Sequence, residues 1–437
     1  MSPASSRPRA DASVVPPRIR TRRTMTAKRA PCPARPWLSI VGIGEDGVAG
    51  LSSVARQLVS GAELVLGGKR HLALADSLIR GRRLSWPNPI GEALPEIETH
   101  RGRPVAVLAS GDPFHYGVGD MLMRLVRPEE TLCLPQPSAF ALAASRLGWS
   151  QQEVSLVSLH GRALEGIVRY LHPGARILAL SWDGATPAAL ARFLVARGMA
   201  ESILTVLEHL GGPKERVRRK CAAAFDLDDV TALNTIALEV CTSPGATVVP
   251  LSSGLDDTMF EHDGQLTKRE VRAVTLSALA PCHGELLWDI GLGAGAIAIE
   301  WLLRHPSLKA IGIEADDERA VRAARNAAKL GTPDIRIVQG RAPEALTGLP
   351  PPDAIFIGGG LSDPAVFDGA WRALKPGGRL VANAVSLATE ARLIELFQRH
   401  GGELVRLDVA RAGRVGGGKV FVWRPAAPIV QWRVTKS

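Results

Sequence analysis

Three glycines at alternate positions, Gly291, Gly293 and Gly295, interrupt the run ELLWDIGLGAGAIAIE between an apolar stretch of strand length and an amphipathic helical stretch. Glycine at such a turn admits positive φ and removes the Cβ that would hold a ligand away. The helix N-terminus that follows offers unpaired N–H groups. This arrangement suits a nucleoside cofactor, and alone it serves NAD as well as other nucleosides. Glu314 ends the next apolar run, 23 residues after Gly291, where a carboxylate can accept hydrogen bonds from both hydroxyls of a ribose. Its alternative role is to favour the following helix through the helix dipole. An earlier turn, Gly42-x-Gly44-x-x-Gly47, has similar spacing, but Glu45 and Asp46 beside it would repel a pyrophosphate. It therefore suits a nucleotide without phosphate, or none. Among the histidines, His71, His115 and His160 could act as bases, yet none has a partner at metal-ligand spacing, so no metal site is expected.

The elements that must position these residues follow from hydrophobic periodicity. Apolar runs, glycine-containing turns and helical stretches alternate from Trp37 to the strand-like NTIALEV, which predicts an α/β domain over residues 37–242. Within it, an apolar strand leads directly into Gly111-Asp112-Pro113. Residues 243–256, uncharged before Leu255 and rich in Ser, Pro, Gly and Thr, form the predicted linker. A second α/β domain is predicted over residues 257–437. Thr267 should cap its first helix, with Glu270 completing a capping box. Helices are expected over Ala296–Arg304, Asp317–Leu330 and Leu387–His400, and the Lys375-Pro376-Gly377-Gly378 turn should feed a strand. The strand-like segments ELVRLDVARAG and GGKVFVWRP are expected to close the domain.

Composition bounds the partners. Of the net charge of +10 over 437 residues, the segment before Trp37 carries +8, from nine basic residues against Asp11. That Pro/Ser/Ala/Arg-rich segment, residues 1–36, reads as a disordered basic tail, or as the product of an upstream start with Met25 the true first residue. The nearly neutral remainder argues against nucleic-acid binding. No apolar run approaches the roughly 20 residues of a membrane span. The five scattered cysteines lack any CxxC pair, which points to a reducing cytoplasm rather than a disulfide framework.

The GxGxG turn, the acid ending the next strand and the PGG turn together resemble a class I S-adenosylmethionine-dependent methyltransferase. The segments around Thr267 to Arg272, WDIGLGAG, QGRAPEAL and DAIFIGGG resemble the decarboxylating precorrin methyltransferases of cobalamin synthesis. In the first half, VGIGEDGVAGL, LVLGGKRHL, SGDPFHYG, PSAFALAASRLGW and VSLHGR resemble the tetrapyrrole methylases, in their precorrin-6Y branch. The resemblance implies a tetrapyrrole methylase fold of two α/β subdomains followed by a Rossmann-like class I domain, with one S-adenosylmethionine in each. It implies methylation of a precorrin at C5 by the first half, and methylation at C15 with loss of the ring C acetate carboxyl by the second. A class I enzyme acting on RNA or another small molecule, with a non-catalytic first domain, is the alternative.

Carried over by that resemblance, cofactor contacts in the second half fall on Thr267, Gly291, Leu292, Gly293, Ala294, Gly295, Glu314 and Ala342. Those in the first half fall on Gly42, Gly44, Gly111, Asp112 and Ser138. Arg341 stands where many class I enzymes have an acid toward the adenine amino group, and an arginine cannot accept that bond. Lys268, Arg341, Arg411, Arg414 and Lys419 are candidate clamps for the carboxylates of a tetrapyrrole substrate, the last two flanking a Gly-rich loop. A homo-oligomer is expected.

Overall fold

The computed structural model describes residues 36–414 and 420–437. The expected basic tail lies, Pro36 aside, outside the described residues, and so does Lys419.

The first sheet is wholly parallel, ordered β3-β2-β4-β1-β5, with β1 (Leu38–Ile43), β2 (Leu64–Gly67), β3 (Arg82–Ser85), β4 (Val105–Ser110) and β5 (Thr131–Leu134). Central strands of such a sheet are covered on both faces, so they need unbroken apolar runs rather than alternation. LSIVGI in β1 is buried at all six positions. The second sheet is mixed, ordered β6-β7-β10-β8-β9, with β6 (Val154–Ser158), β7 (Arg176–Leu180), β8 (Ile203–Glu208), β9 (Arg216–Cys221) and β10 (Asn234–Glu239). Its edge strand RVRRKC is charged, which blunts pairing with another chain.

The third sheet has seven strands, ordered β13-β12-β11-β14-β15-β19-β16: β11 (Leu286–Ile290), β12 (Lys309–Glu314), β13 (Arg336–Gln339), β14 (Ala354–Ile357), β15 (Arg379–Ala384), β16 (Glu403–Leu407) and β19 (Ile429–Thr435). The first five run parallel, and β19 is antiparallel to both β15 and β16. A separate hairpin joins β17 (Ala410–Arg414) to β18 (Phe421–Pro425). This corrects the expectation that GGKVFVWRP closes the domain. Trp423 in β18 is 74% exposed, whereas Trp432 in β19 is fully buried beside Phe367 and donates to the Gly401 carbonyl at 2.9 Å.

The capping box at Thr267 is also corrected. The helix spans Arg269–Leu279, its N-cap is Lys268, and no side chain bonds to the helix start. Thr267 instead offers its carbonyl to Arg272, and the Glu270 carboxylate is taken by Arg411 at 2.5 Å. Arg411 outcompetes a backbone amide for the Glu270 carboxylate because a charge-assisted bond is the stronger one, whereas the Arg272 bond uses the Thr267 carbonyl and not the hydroxyl that would cap.

Between Glu239 and Asp257 there is neither helix nor strand, yet this segment is fastened down. Val249 and Leu255 are buried in a cluster that also holds Val168 of the first half and Ile299 and Leu330 of the second. The amides of Gly254 and Leu255 donate to the Glu300 carboxylate at 2.7 and 2.9 Å. Across the same junction Arg169 donates to the Leu302 carbonyl, and Arg197 to that of Lys329, each at 3.1 Å.

Candidate active sites

The C-terminal ends of β11, β12 and β14 open onto a cavity of about 1220 Å³. All three glycines of the turn after β11 have positive φ, at 79°, 57° and 82° for Gly291, Gly293 and Gly295. Their roles differ. A Cβ on Gly293 would come no nearer to another residue than the Gln265 carbonyl oxygen at 4.0 Å, which leaves room for a ligand, while one on Gly295 would come within 3.2 Å of Ala323 in helix Asp317–Leu330. Gly295 therefore serves helix packing and does not line the cavity, whereas Gly291, Leu292, Gly293 and Ala294 do.

Glu314, at the end of β12, also lines the cavity and is 7% exposed. Its two carboxylate oxygens accept from the amides of Gly293 at 2.7 Å and Asp316 at 3.0 Å, so each keeps a lone pair for a ligand. The helix cap itself is filled by Asp316, whose side chain accepts from the Arg319 amide at 3.0 Å. Thr267, Lys268, Arg341, Ala342 and Arg411 complete the predicted residues on the wall. Arg414 is not among the lining residues: its guanidinium lies over the Phe421 ring on the hairpin, at 5.3 Å. The Pro-Gly-Gly turn precedes β15 at the N-terminal ends of the strands, opposite the cavity, where Lys375 pairs with Asp353 at 2.7 Å. It marks the fold without touching the cavity.

Asp289 is a functional candidate that motif reading passed over, although an acid inside a buried apolar strand was visible in LLWDI. It lines the cavity at 1% exposure and accepts from the Ala298 amide at 3.0 Å, while Oδ1 is buried without a partner among the described residues. Burial raises its pKa against the lowering effect of the Ala298 amide, and the Glu314 charge adds to the rise, to about 8. Between an ordinary value near pH 4 and that raised value, the unfolded chain is ionised at this carboxyl and the folded chain protonated. Its contribution to stability thus falls as pH rises through that window, by at most about 1.4 kcal/mol per unit. Asp289→Asn should remove this slope, so that urea midpoints of variant and wild type separate in the variant's favour from about pH 5 to 8. Parallel curves would refute the assignment.

In the first half, the ends of β1, β4 and β5 converge. A Cβ on Gly42 would lie 2.0 Å from the Gly111 carbonyl oxygen, and one on Gly111 would lie 3.0 Å from the Ser138 Cα, so the predicted Gly42, Gly111 and Ser138 are neighbours. Gly44 lies in the adjoining turn, against the Asp46 carboxylate. Asp112 accepts from the Phe114 amide at 2.9 Å, and Ser138 caps helix Ala139–Leu147 by accepting from the Ala141 amide at 3.2 Å.

Beside them is a polar cluster that joins the two sheets of this half. Glu45 pairs with Arg70 and accepts from His209 Nδ1 at 2.7 Å. Burial alone would raise the Glu45 carboxyl, but the His209 hydrogen bond and the Arg70 charge hold it below the ordinary carboxylate range. His71 Nε2 lies 2.8 Å from Ser110 Oγ and 3.0 Å from Arg70 Nη2. Arginine only donates, so Nε2 accepts and the ring proton is assigned to Nδ1. Burial and then the Arg70 charge lower this imidazole to about 4. His115 packs on Phe140 at 4.7 Å and Tyr116 at 5.5 Å, and His160 lies 6.1 Å from Trp182.

A family model described as tetrapyrrole (corrin/porphyrin) methylases matches residues 38–225, and one described as precorrin methyltransferase domain matches residues 258–436. Over 407 residues the chain is 55% identical to a precorrin-6Y C(5,15)-methyltransferase (decarboxylating) of Sinorhizobium sp, covering 93% of this chain and 98% of the relative. Two shorter relatives each match less than half of it. A cobalt-precorrin-7 C(5)-methyltransferase of Salmonella typhimurium is 30% identical, covering 44% of this chain and 94% of its own. A probable cobalt-precorrin-6B C(15)-methyltransferase (decarboxylating) of Pyrobaculum calidifontis is 35% identical, covering 37% and 87%. Similar at this level along nearly its full length, the chain belongs to the precorrin-6Y C(5,15)-methyltransferase (decarboxylating) family.

Proposed function

We propose that this chain methylates precorrin-6Y at C5 and C15 and removes the carboxyl of the ring C acetate, giving precorrin-8X in cobalamin biosynthesis. The full-length identity of 55% is the observation that carries this reading. The first half methylates C5, the second methylates C15 and decarboxylates, and each binds its own S-adenosylmethionine. When bound, that cofactor supplies an electrophilic methyl group. The residues of the second half fit it: Glu314 takes the ribose hydroxyls, the turn from Gly291 to Ala294 leaves room for close approach, and Thr267 and Ala342 flank the nucleoside. In the first half Gly42, Gly44, Gly111, Asp112 and Ser138 form the corresponding cleft.

The chain's task is to hold a nucleophilic ring carbon in line at near-attack distance, which needs no nucleophilic side chain. Lys268 and Arg341, both on the cavity wall, orient the substrate through its carboxylates. The enzyme works in the cytoplasm as a homo-oligomer, a reading supported by the exposed Phe421, Val422 and Trp423 along β18. The test is incubation of the purified chain with precorrin-6Y and S-adenosylmethionine. The product should gain two methyl groups and lose carbon dioxide; unchanged substrate, or a product that keeps every carboxyl, would refute the reading.

A further inference from the structure

The cavity beside the glycine turn is larger than the roughly 300–1,000 Å³ that small-ligand sites span, and its wall divides by chemistry away from that turn. One sector is apolar. Leu407 and Ile429 are register partners across β16 and β19, and Val385 follows directly on Ala384, the partner of Val430. The Val409 carbonyl accepts from the Ala426 amide at 2.8 Å, and all four of these apolar side chains line the cavity.

The hairpin starts one residue beyond Val409, and there the wall becomes cationic. Arg411 and Arg424 stand directly opposite each other across β17 and β18, and both line the cavity. Like charges so placed repel. Arg411 is compensated by Glu270 at 2.5 Å and Asp257 at 3.9 Å. Among the described residues Arg424 meets no carboxylate, and its guanidinium donates to the Arg414 carbonyl. Residues 415–419, which join the two strands, contain no acid either. Arg424 thus keeps donors and charge for a ligand.

Resting on the reading of this half as the decarboxylating unit, we propose that Arg424 grips a substrate carboxylate that survives the reaction, while the apolar sector receives the acetate that is lost. The ligand class is a macrocycle rimmed with carboxylates. In the decarboxylation the bond between the acetate methylene and its carboxyl carbon breaks. The bonding pair passes into the conjugated ring, carbon dioxide departs, and the methylene carbon takes a proton from water. Charge leaves the carboxylate along this path, so a cation beside it would stabilise the starting state more than the transition state and slow the step. An apolar wall does the reverse. Gripping a neighbouring carboxylate has no such cost, and it fixes which acetate meets the apolar sector.

The two sectors therefore predict opposite kinetic signatures for release of carbon dioxide from precorrin-6Y by the full chain at saturating S-adenosylmethionine. Arg424→Ala should raise KM about 10- to 100-fold with little change in kcat, and Arg424→Lys should recover part of the loss. Val409→Lys should lower kcat about tenfold or more with KM unchanged or lower. Binding of S-adenosylhomocysteine by calorimetry reports folding. Val385→Lys, at a site 66% exposed, gives the same readout if Val409→Lys does not fold. A wild-type KM in Arg424→Ala, or a wild-type kcat in a folded lysine variant, would overturn the assignment. Wild-type chain that releases no carbon dioxide would instead sink the functional reading on which it rests.

Discussion

Arg272→Met is expected to destabilise the second half by about 3–5 kcal/mol, the usual cost of stripping one partner from a buried ion pair. Arg272 and Glu300 are both fully buried, with Nε to Oε1 at 2.5 Å, and the guanidinium also reaches Asp257 at 3.2 Å and the carbonyls of Leu255 and Thr267. The Phe260 ring lies 4.7 Å from its centre. Methionine fills much of the volume but leaves the Glu300 charge with only the amides of Gly254 and Leu255. Urea unfolding checks the magnitude. The double variant with Glu300→Gln should regain part of the loss, because a neutral amide no longer demands a counter-charge. Equal midpoints for Arg272→Met and wild type would show that the pair contributes nothing. The variant should also bind cofactor more weakly, since Arg272 holds the Thr267 carbonyl on the segment that lines the cavity.

Glu314→Ala is expected to cost the second half more than a hundredfold in cofactor affinity. Two hydrogen bonds to a buried carboxylate are together worth about 3 kcal/mol or more. The product of the variant should lack one methyl group and retain the carboxyl, while the other methylation survives, as mass spectrometry of the product would read. Because Glu314 also accepts from the Gly293 and Asp316 amides, part of the effect runs through the glycine turn. Glu314→Gln, which keeps one acceptor oxygen and the bulk, should fall between the two. A Glu314→Ala chain that retains wild-type stability and both methylations would exclude the ribose role.

Local signals were legible where one short segment carries all the information. Helices Ala296–Arg304, Asp317–Leu330 and Leu387–His400 run over the residues expected of them, since each is bounded by its own turn residues; Asp317–Leu330 buries one stripe, Ala320, Ala323, Ala327 and Leu330, while residues 296–302 are buried all round. The glycine turn and Glu314 were readable for the same reason. Elements whose state depends on distant partners were not. VFVWRP and IVQWRVT look alike as sequences, and only the gap between β15 and β16 makes the second a core strand and leaves the first a hairpin edge. Thr267 and Glu270 satisfy the capping-box pattern, but the helix begins one residue later, after Lys268, and Arg411, 141 positions on, claims the Glu270 carboxylate. Arg424 gained its significance from a cross-strand partner 13 positions earlier, which no local motif encodes.

The interior position of β19 has a consequence for synthesis. Ile429–Thr435 leaves the ribosome after every strand it lies between, so the third sheet must wait with an open slot along β15 until its last piece arrives. The two sheets of the first half are complete at Glu239, roughly two hundred residues earlier, about 10 to 40 s at ordinary elongation rates. During that interval one enzyme half is finished while the other is still being made, and over roughly its last fifty residues, between Ala384 and Thr435, β15 presents an unpaired, largely apolar strand edge to the cell. Nascent-chain aggregation and chaperone demand should therefore concentrate on the second half, and shortening its wait should improve yield more than stabilising the first.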